Sequence, residues 1–116
     1  MLFVALVIVF KTADAQVAIS LTVTDGCAEA QNCYYKVTMI FYKNQNCTGD
    51  AAYCYFMTND CTGFYQTQVD FNDCDFEEGT SCKVYVQKMS GENTVCSNIT
   101  SCLEYDWGMP VFVYIH

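Results

Sequence analysis

The chain has 116 residues, of which 53% are hydrophobic, and its five lysines face 13 acidic residues, which gives a formal net charge of −8. Nucleic-acid binding needs a basic surface, and an anionic membrane repels an acidic chain, so the composition excludes both partners. Nine cysteines accompany a single histidine at the end of the chain, which indicates a disulfide framework rather than a zinc site.

The first 15 residues have the features of a secretory signal peptide. Residues 2–10 are wholly apolar but too few to span a bilayer, and Ala13 and Ala15 form a small-x-small cleavage site. An amphipathic first strand is the alternative. We therefore predict a leader over 1–15, and a secreted, extracellular product with a single disulfide-rich β-domain over 16–116. No other apolar run is long enough to cross a membrane, so we expect no membrane insertion.

Alternation of apolar and polar residues runs through the rest of the chain, and it is typical of strands with one buried face. Turn signals such as Asp25-Gly26, Thr48-Gly49 and Ser90-Gly91 separate the alternating runs. The predicted strands are 17–23, 34–42, 53–57, 64–71, 82–88 and 111–115. Short strands at this spacing predict an all-β fold, a small disulfide-rich antiparallel β-sandwich.

The cysteine count is odd, so one thiol is left over after four bridges. The nine candidates are Cys27, Cys33, Cys47, Cys54, Cys61, Cys74, Cys82, Cys96 and Cys102. Spacing alone fixes neither the connectivity nor the unpaired residue. The extra thiol is buried, reactive or bonded to another chain, and in the last case the protein is a disulfide-linked dimer.

Catalysis is not expected from these residues. Nucleophilic sites need a histidine to move the proton, and His116 is the last residue. Asp73, Asp75 and Glu77 belong to an acidic cluster, which we interpret as a solvated loop. Calcium binding is the first alternative, because hard cations take oxygen ligands, and paired carboxylates for sugar hydrolysis are the second. We expect no cofactor other than weakly bound calcium.

Two sequons are candidate glycosylation sites, Asn98-Ile99-Thr100 and Asn46-Cys47-Thr48. Asn98 is the stronger candidate, because Cys47 in the middle of the other sequon competes by forming a disulfide. Ordinary turn asparagines are the alternative for both.

Aromatic residues are abundant, with nine tyrosines and eight phenylalanines. A platform that binds carbohydrate is one interpretation of them. In a β-sandwich, however, aromatic side chains more often fill the core, and we adopt that interpretation here.

The stretch IFYKNQNCTGDAAYC, residues 40–54, resembles the first hairpin of a βγ-crystallin Greek key. Tyr42, Cys47 and Gly49 fall on that family's spacing of aromatic, aromatic and glycine, with Cys47 in place of the second aromatic. This resemblance implies that the stretch is a structural hairpin in which Gly49 adopts positive φ.

A second partial match extends the resemblance to residue 108. Tyr85 and Gly91 lie in VYVQKMSG, one residue short of the family pattern, and Trp107 lies in LEYDWG. The family's calcium signature is matched only in part at ENTVCS, where Glu92 and Asn93 are the candidate ligands. The resemblance implies a Greek-key fold with at most weak calcium affinity.

We therefore expect a secreted, non-catalytic binding or structural module whose partner is an unidentified extracellular protein or a cation. The alternative is a secreted effector, toxin or protease inhibitor on the same scaffold. An inhibitor would present a rigid loop held by a disulfide, such as Met57 to Gly63 around Cys61.

Overall fold

A computed structural model describes residues 17–70, 81–104 and 109–116, and this part of the chain is all-β. Its strands are β1 (Val17–Asp25), β2 (Cys33–Asn44), β3 (Thr48–Met57), β4 (Phe64–Asp70), β5 (Ser81–Ser90), β6 (Asn93–Ile99), β7 (Leu103–Glu104) and β8 (Met109–Ile115). Within these ranges no helix is long and apolar enough to cross a membrane.

Two sheets pack face to face to form the sandwich. The larger sheet has the order β3-β2-β5-β6, with β7 also pairing with β5, and the smaller has the order β4-β1-β8. All pairs are antiparallel except β1 and β8, which run parallel. Two strands joined by a direct hairpin must run antiparallel. Between β1 and β8 the chain passes through the larger sheet, so these two strands can pair in either direction.

The core lies between the sheets and follows the predicted alternation. Every second residue of the long strands points inward, because successive side chains of a strand face opposite sides. The buried apolar residues are Ile19, Leu21, Val23, Tyr35, Val37, Met39, Phe41, Val69, Cys82, Val84, Val86, Val111, Val113 and Ile115. The disulfide-rich β-sandwich expected from the sequence is therefore confirmed.

Strand β6 was not predicted, and β3 begins at Thr48 rather than at residue 53. The sequence of β6, NTVCSNI, lacks apolar alternation, and its first three residues are exposed. It is a strand because its backbone pairs with β5 from Tyr85↔Ile99 to Ser90↔Asn93. Pairing of this kind depends on tertiary context and leaves little signal in the side chains.

A short turn joins β2 to β3, and its backbone is unusual. Asn46 and Cys47 have φ of 60° and 54°, and Gly49 has φ of 83°. A Cβ atom at Gly49 would lie 2.5 Å from Nδ2 of Asn44, so a side chain here would be strained by the backbone and would have to displace the exposed Asn44 side chain. Gly91 also has positive φ, 60°, but a Cβ there would meet nothing within 4 Å.

The other residues of the predicted hairpins are two tyrosines and a tryptophan. Tyr42 and Tyr85 lie at partly exposed positions of β2 and β5. Trp107 lies outside the described residues. The strand order does not establish a Greek key, so the βγ-crystallin resemblance remains a prediction.

We expect Gly49→Val to lower the free energy of unfolding by more than about 1 kcal/mol, because it combines backbone strain with a clash against Asn44. Gly91→Val is the matched control, since it adds the strain without the clash. Urea unfolding of both variants beside the wild type measures the difference. Equal losses for the two glycines would show that the contact with Asn44 is unimportant.

Candidate binding surfaces

A buried ion pair joins the two sheets at one end of the sandwich. Lys88 Nζ lies 2.8 Å from Asp25 Oδ2, and the two side chains are only 4% and 3% exposed, respectively. Asp25 ends β1 in the smaller sheet, and Lys88 lies on β5 in the larger one. Tyr35 of β2 donates its hydroxyl to the same carboxylate at 2.9 Å. The three side chains therefore connect three strands from both sheets.

Backbone groups complete this network. The amide of Cys27 donates to Asp25 Oδ1 at 2.8 Å, and Lys88 Nζ donates to the Ala28 carbonyl at 2.9 Å. The amide of Gly63 donates to the Tyr35 hydroxyl at 3.0 Å. Each buried charge thus has several partners, which is the condition under which a buried ion pair is tolerated.

The network also changes the acidity of its members. Burial raises the pKa of the Asp25 carboxyl, but hydrogen bonds from Lys88, Cys27 and Tyr35 and the charge of Lys88 outweigh burial and hold that pKa below its usual value. Burial, together with the neighbouring Asp25 carboxylate, raises the pKa of Tyr35 to about 12. At neutral pH the carboxylate is therefore ionised and the phenol is protonated.

A cavity of about 400 Å³ opens beside this network, and the ion pair and Cys27, Cys33 and Cys61 contribute to its lining. Asp25, Cys27 and Cys96 place possible ligand atoms within 4.8 Å of one another, the one such group found among the described residues. Cys27 and Cys96 form a disulfide, however, and the carboxylate is already paired. Disulfide sulfurs are not thiolates, so the group is a poor metal site.

Three disulfides lie within the described residues: Cys27–Cys96, Cys33–Cys61 and Cys47–Cys102. Cys54 is also disulfide-bonded, and Cys74 lies outside the described residues. Three intramolecular bridges fit an extracellular protein.

Cys82 is the free thiol among the described cysteines, and its side chain is buried in the core. Burial raises the pKa of this thiol to about 11, so it is protonated and unreactive at neutral pH. A buried thiol cannot reach a second chain. Cys82 therefore gives no support to the disulfide-linked dimer expected from the odd count.

Of the calcium candidates, Glu92 and Asn93 lie in the described part of the chain. Asp73, Asp75 and Glu77 lie outside the described residues. Glu92 and Asn93 are exposed at the turn between β5 and β6, where no three His, Cys, Asp or Glu side chains of the described ranges converge. Calcium binding therefore remains an untested prediction.

The two sequons differ in their surroundings. Asn98 Nδ2, the atom to which a glycan would be attached, donates to the Tyr114 carbonyl at 2.8 Å and so links β6 to β8. Asn46 is exposed at the turn between β2 and β3. A glycan on Asn98 would take one of the two Nδ2 hydrogens at this inter-strand contact, whereas one on Asn46 would extend from an exposed turn.

The loop between β3 and β4 is fixed by local contacts. Cys61 is bonded to Cys33, and the Thr58 hydroxyl donates to the Asp60 carbonyl at 2.7 Å. The Thr58 amide donates to the Tyr35 carbonyl. This loop is therefore pinned, with bends at Asn59 and Gly63. The inhibitor alternative remains an untested prediction.

The outer face of the larger sheet carries apolar side chains that the core does not use. Tyr53, Tyr55 and Met57 of β3 are 68%, 63% and 55% exposed, and Ile99 of β6 is 48% exposed. The register places Tyr55, Thr38, Tyr85 and Ile99 in one row across four strands, with Tyr53 and Ile40 in the next row. We call the set of Ile40, Tyr53, Tyr55, Met57, Tyr85 and Ile99 the aromatic face.

Exposed aromatic residues also occur on the outer face of the smaller sheet. Phe112 is 74% exposed and pairs with Thr22, which pairs in turn with Gln66. The interpretation of the aromatic residues as core is thus wrong for several of them. Of the described aromatic residues, only Tyr35 and Phe41 are among the fully buried side chains. Outward tyrosines alternate along a strand as inward ones do, so the pattern alone cannot say which face is covered.

Sequence analysis missed the ion pair, although a signal for it exists. Asp25 continues the inward series of β1 after Leu21 and Val23. Lys88 continues the inward series of β5 in the same way. Opposite charges at the inward-facing ends of two strands are a pattern that can predict a buried pair.

Comparison with known proteins identifies no family: no family model, no curated protein and no solved structure matches this chain.

We expect Lys88→Met to lower the free energy of unfolding by about 3–5 kcal/mol, because it leaves the Asp25 carboxylate buried without its cation. Lys83→Met, a partly exposed position on the same strand, is the control and should change stability by no more than about 0.5 kcal/mol. Urea unfolding at neutral pH measures both. Similar values for the two variants would contradict the structural role of the pair.

Proposed function

We propose that this protein is a secreted, non-catalytic binding module that recognises an extracellular protein through the aromatic face. The observation that carries the proposal is the group of exposed apolar side chains on the larger sheet, Tyr53, Tyr55 and Met57 on β3 and Ile99 on β6. Thr38 is the one polar residue in the row that runs from Tyr55 to Ile99. Soluble proteins rarely leave contiguous apolar surface uncovered unless it binds something.

The chemistry of the face suits a protein partner. Tyrosine and methionine are enriched at protein interfaces, and tyrosine provides a large contact area at a modest entropic cost. Lys36 and Lys83 lie on the same side of the sheet, and Lys36 Nζ lies 4.9 Å from the centre of the Tyr55 ring. These cations lie among the apolar side chains of the face, Lys36 beside Met57 and Lys83 beside Ile40. The preferred partner therefore has an apolar patch that includes acidic side chains.

Secretion is supported by the apolar leader over 1–15 and by the disulfides. A binding role is favoured over an enzymatic one because the cavity at the end of the sandwich holds a neutralised ion pair and no nucleophile beside a base. Binding by an effector or toxin would use the same surface, so the alternative differs in biological outcome rather than in the residues involved.

The test is a binding screen of the secreted chain against an array of extracellular proteins. Tyr55→Ser and Ile99→Ser remove two exposed side chains from one row of the aromatic face, and each should weaken a genuine interaction at least about tenfold if it removes a hot-spot contact. Phe112→Ser is the matched control, because it removes an equally exposed aromatic residue from the other sheet.

Circular dichroism and melting of each variant must first match the wild type. Hits that survive both aromatic-face changes, or that Phe112→Ser abolishes instead, would place the binding surface elsewhere. If none of the proteins that bind has acidic side chains at its binding surface, the expected chemistry of the partner is wrong.

A further inference from the structure

The outer face of the smaller sheet has no charged residue among its paired positions that the structure describes. Successive side chains of a strand alternate between faces, so the residues between the buried positions of β1, β4 and β8 point outward. The register arranges nine of them in three rows: Phe64–Thr24–Tyr114, Gln66–Thr22–Phe112 and Gln68–Ser20–Pro110. We call these nine residues the neutral face. It presents aromatic rings, hydroxyls and amides, although the whole chain carries a net charge of −8.

Three side chains of the neutral face are exposed aromatic rings. Phe112 is 74% exposed, and Phe64 and Tyr114 are each 53% exposed. A Cβ atom at Gly26 would collide with the Tyr114 ring, so this ring lies directly over the glycine, and it also stacks on His116 with 5.2 Å between the ring centres. One strand separates Phe64 from Tyr114, which places their Cα atoms about 10 Å apart. The sheet therefore sets the spacing of these exposed rings.

Hydrogen-bonding groups lie between and beside the rings. The exposed Thr24 occupies the middle of the first row. In the second row the Gln66 amide donates to the Thr22 hydroxyl at 3.3 Å. A shallow depression of about 360 Å³ is lined in part by Ser20, Thr22, Gln66 and Gln68. Hydroxyls and side-chain amides both donate and accept hydrogen bonds, so this surface matches a ligand that is rich in hydroxyl groups.

We propose that the neutral face binds an extended, uncharged polysaccharide built of sugars with equatorial hydroxyls, the chemical class of cellulose and chitin. In such a sugar the hydroxyls lie around the rim of the ring, and the C–H groups form two apolar faces. The electron-rich face of an aromatic side chain attracts these C–H groups. The hydroxyls at the rim then reach the threonine and glutamine side chains beside the rings. Rings about 10 Å apart, as at Phe64 and Tyr114, can stack on alternate sugars of an extended chain.

Charge favours this ligand over a protein or an acidic polysaccharide. About a quarter of the residues in an average protein domain are charged, and the nine residues of the neutral face offer no counter-charge to them. An acidic polysaccharide would be repelled by the net negative charge of the chain. Neutral sugars leave no charge unpaired. The neutral face and the aromatic face lie on opposite sides of the sandwich, so this inference does not depend on the proposed function.

The experiment is isothermal titration calorimetry of the secreted chain with cellohexaose and, separately, with chitohexaose. At least one of them should bind, with a dissociation constant that stays the same as the salt concentration rises, because no charge takes part. Phe112→Ser should weaken this binding by about tenfold or more, since it removes the most exposed of the three rings. Phe112→Tyr keeps a ring at the same position and should retain the affinity.

Tyr55→Ser is the matched control, because it removes a similarly exposed ring from the larger sheet and should leave sugar binding unchanged. Gln66→Ala removes an exposed amide from the row of Phe112 and replaces Phe112→Ser as the test if that variant loses the wild-type circular dichroism spectrum. The proposal is overturned if neither hexasaccharide binds the wild type, if the control loses binding as the test variant does, or if hyaluronan, an acidic polysaccharide, binds more tightly. The proposed function is measured with protein ligands instead, so the two fail separately.

Discussion

The ion pair between Asp25 and Lys88 is the contact on which the arrangement of the two sheets depends. Removing two charges from water costs several kcal/mol per ion, and their attraction offsets this only when further hydrogen bonds satisfy both groups. Here Tyr35 and the backbone of Cys27 complete the carboxylate, and the Ala28 carbonyl accepts from the ammonium group. Unlike an apolar contact, such a set of directional bonds tolerates little sliding of one sheet over the other.

Two of the three described disulfides reinforce the same end of the molecule. Cys27–Cys96 ties the segment after β1 to β6, and Cys33–Cys61 ties the start of β2 to the loop before β4. Cys47–Cys102 holds the turn at the far end of β2. A domain of this size has a modest core, and each bridge adds about 2–4 kcal/mol, largely by restricting the unfolded chain. Because the described bridges and the core lie at the ends and in the interior, stability does not depend on the outer faces, where Tyr53 and Tyr55 are exposed.

The sequence predicts those parts of the fold that leave a pattern in neighbouring residues. Period-two alternation predicted β1, β2 and β5 and the division of their residues between two faces, since burial of one face leaves that pattern directly. It could not predict β6, whose pairing is a backbone property, or the parallel direction of β8. The exposure of Tyr53 and Tyr55 could not be predicted either. Alternation shows that the two faces of a strand differ, but it does not show which face is buried. The ion pair between Asp25 and Lys88 could have been predicted, because both residues continue an inward-facing series and carry opposite charges.

The role of the ion pair between Asp25 and Lys88 is tested most directly by the pH dependence of stability in the wild type and in Asp25→Asn. Because the folded state lowers the pKa of Asp25, the pair's contribution is fully present above the unfolded pKa of about 3.9 and is lost as pH falls through the folded value. Urea unfolding with the disulfides intact should show the wild type well above Asp25→Asn at neutral pH, and the gap should close as the pH falls below about 4. A gap that is small at neutral pH, or unchanged down to acid pH, would contradict the account.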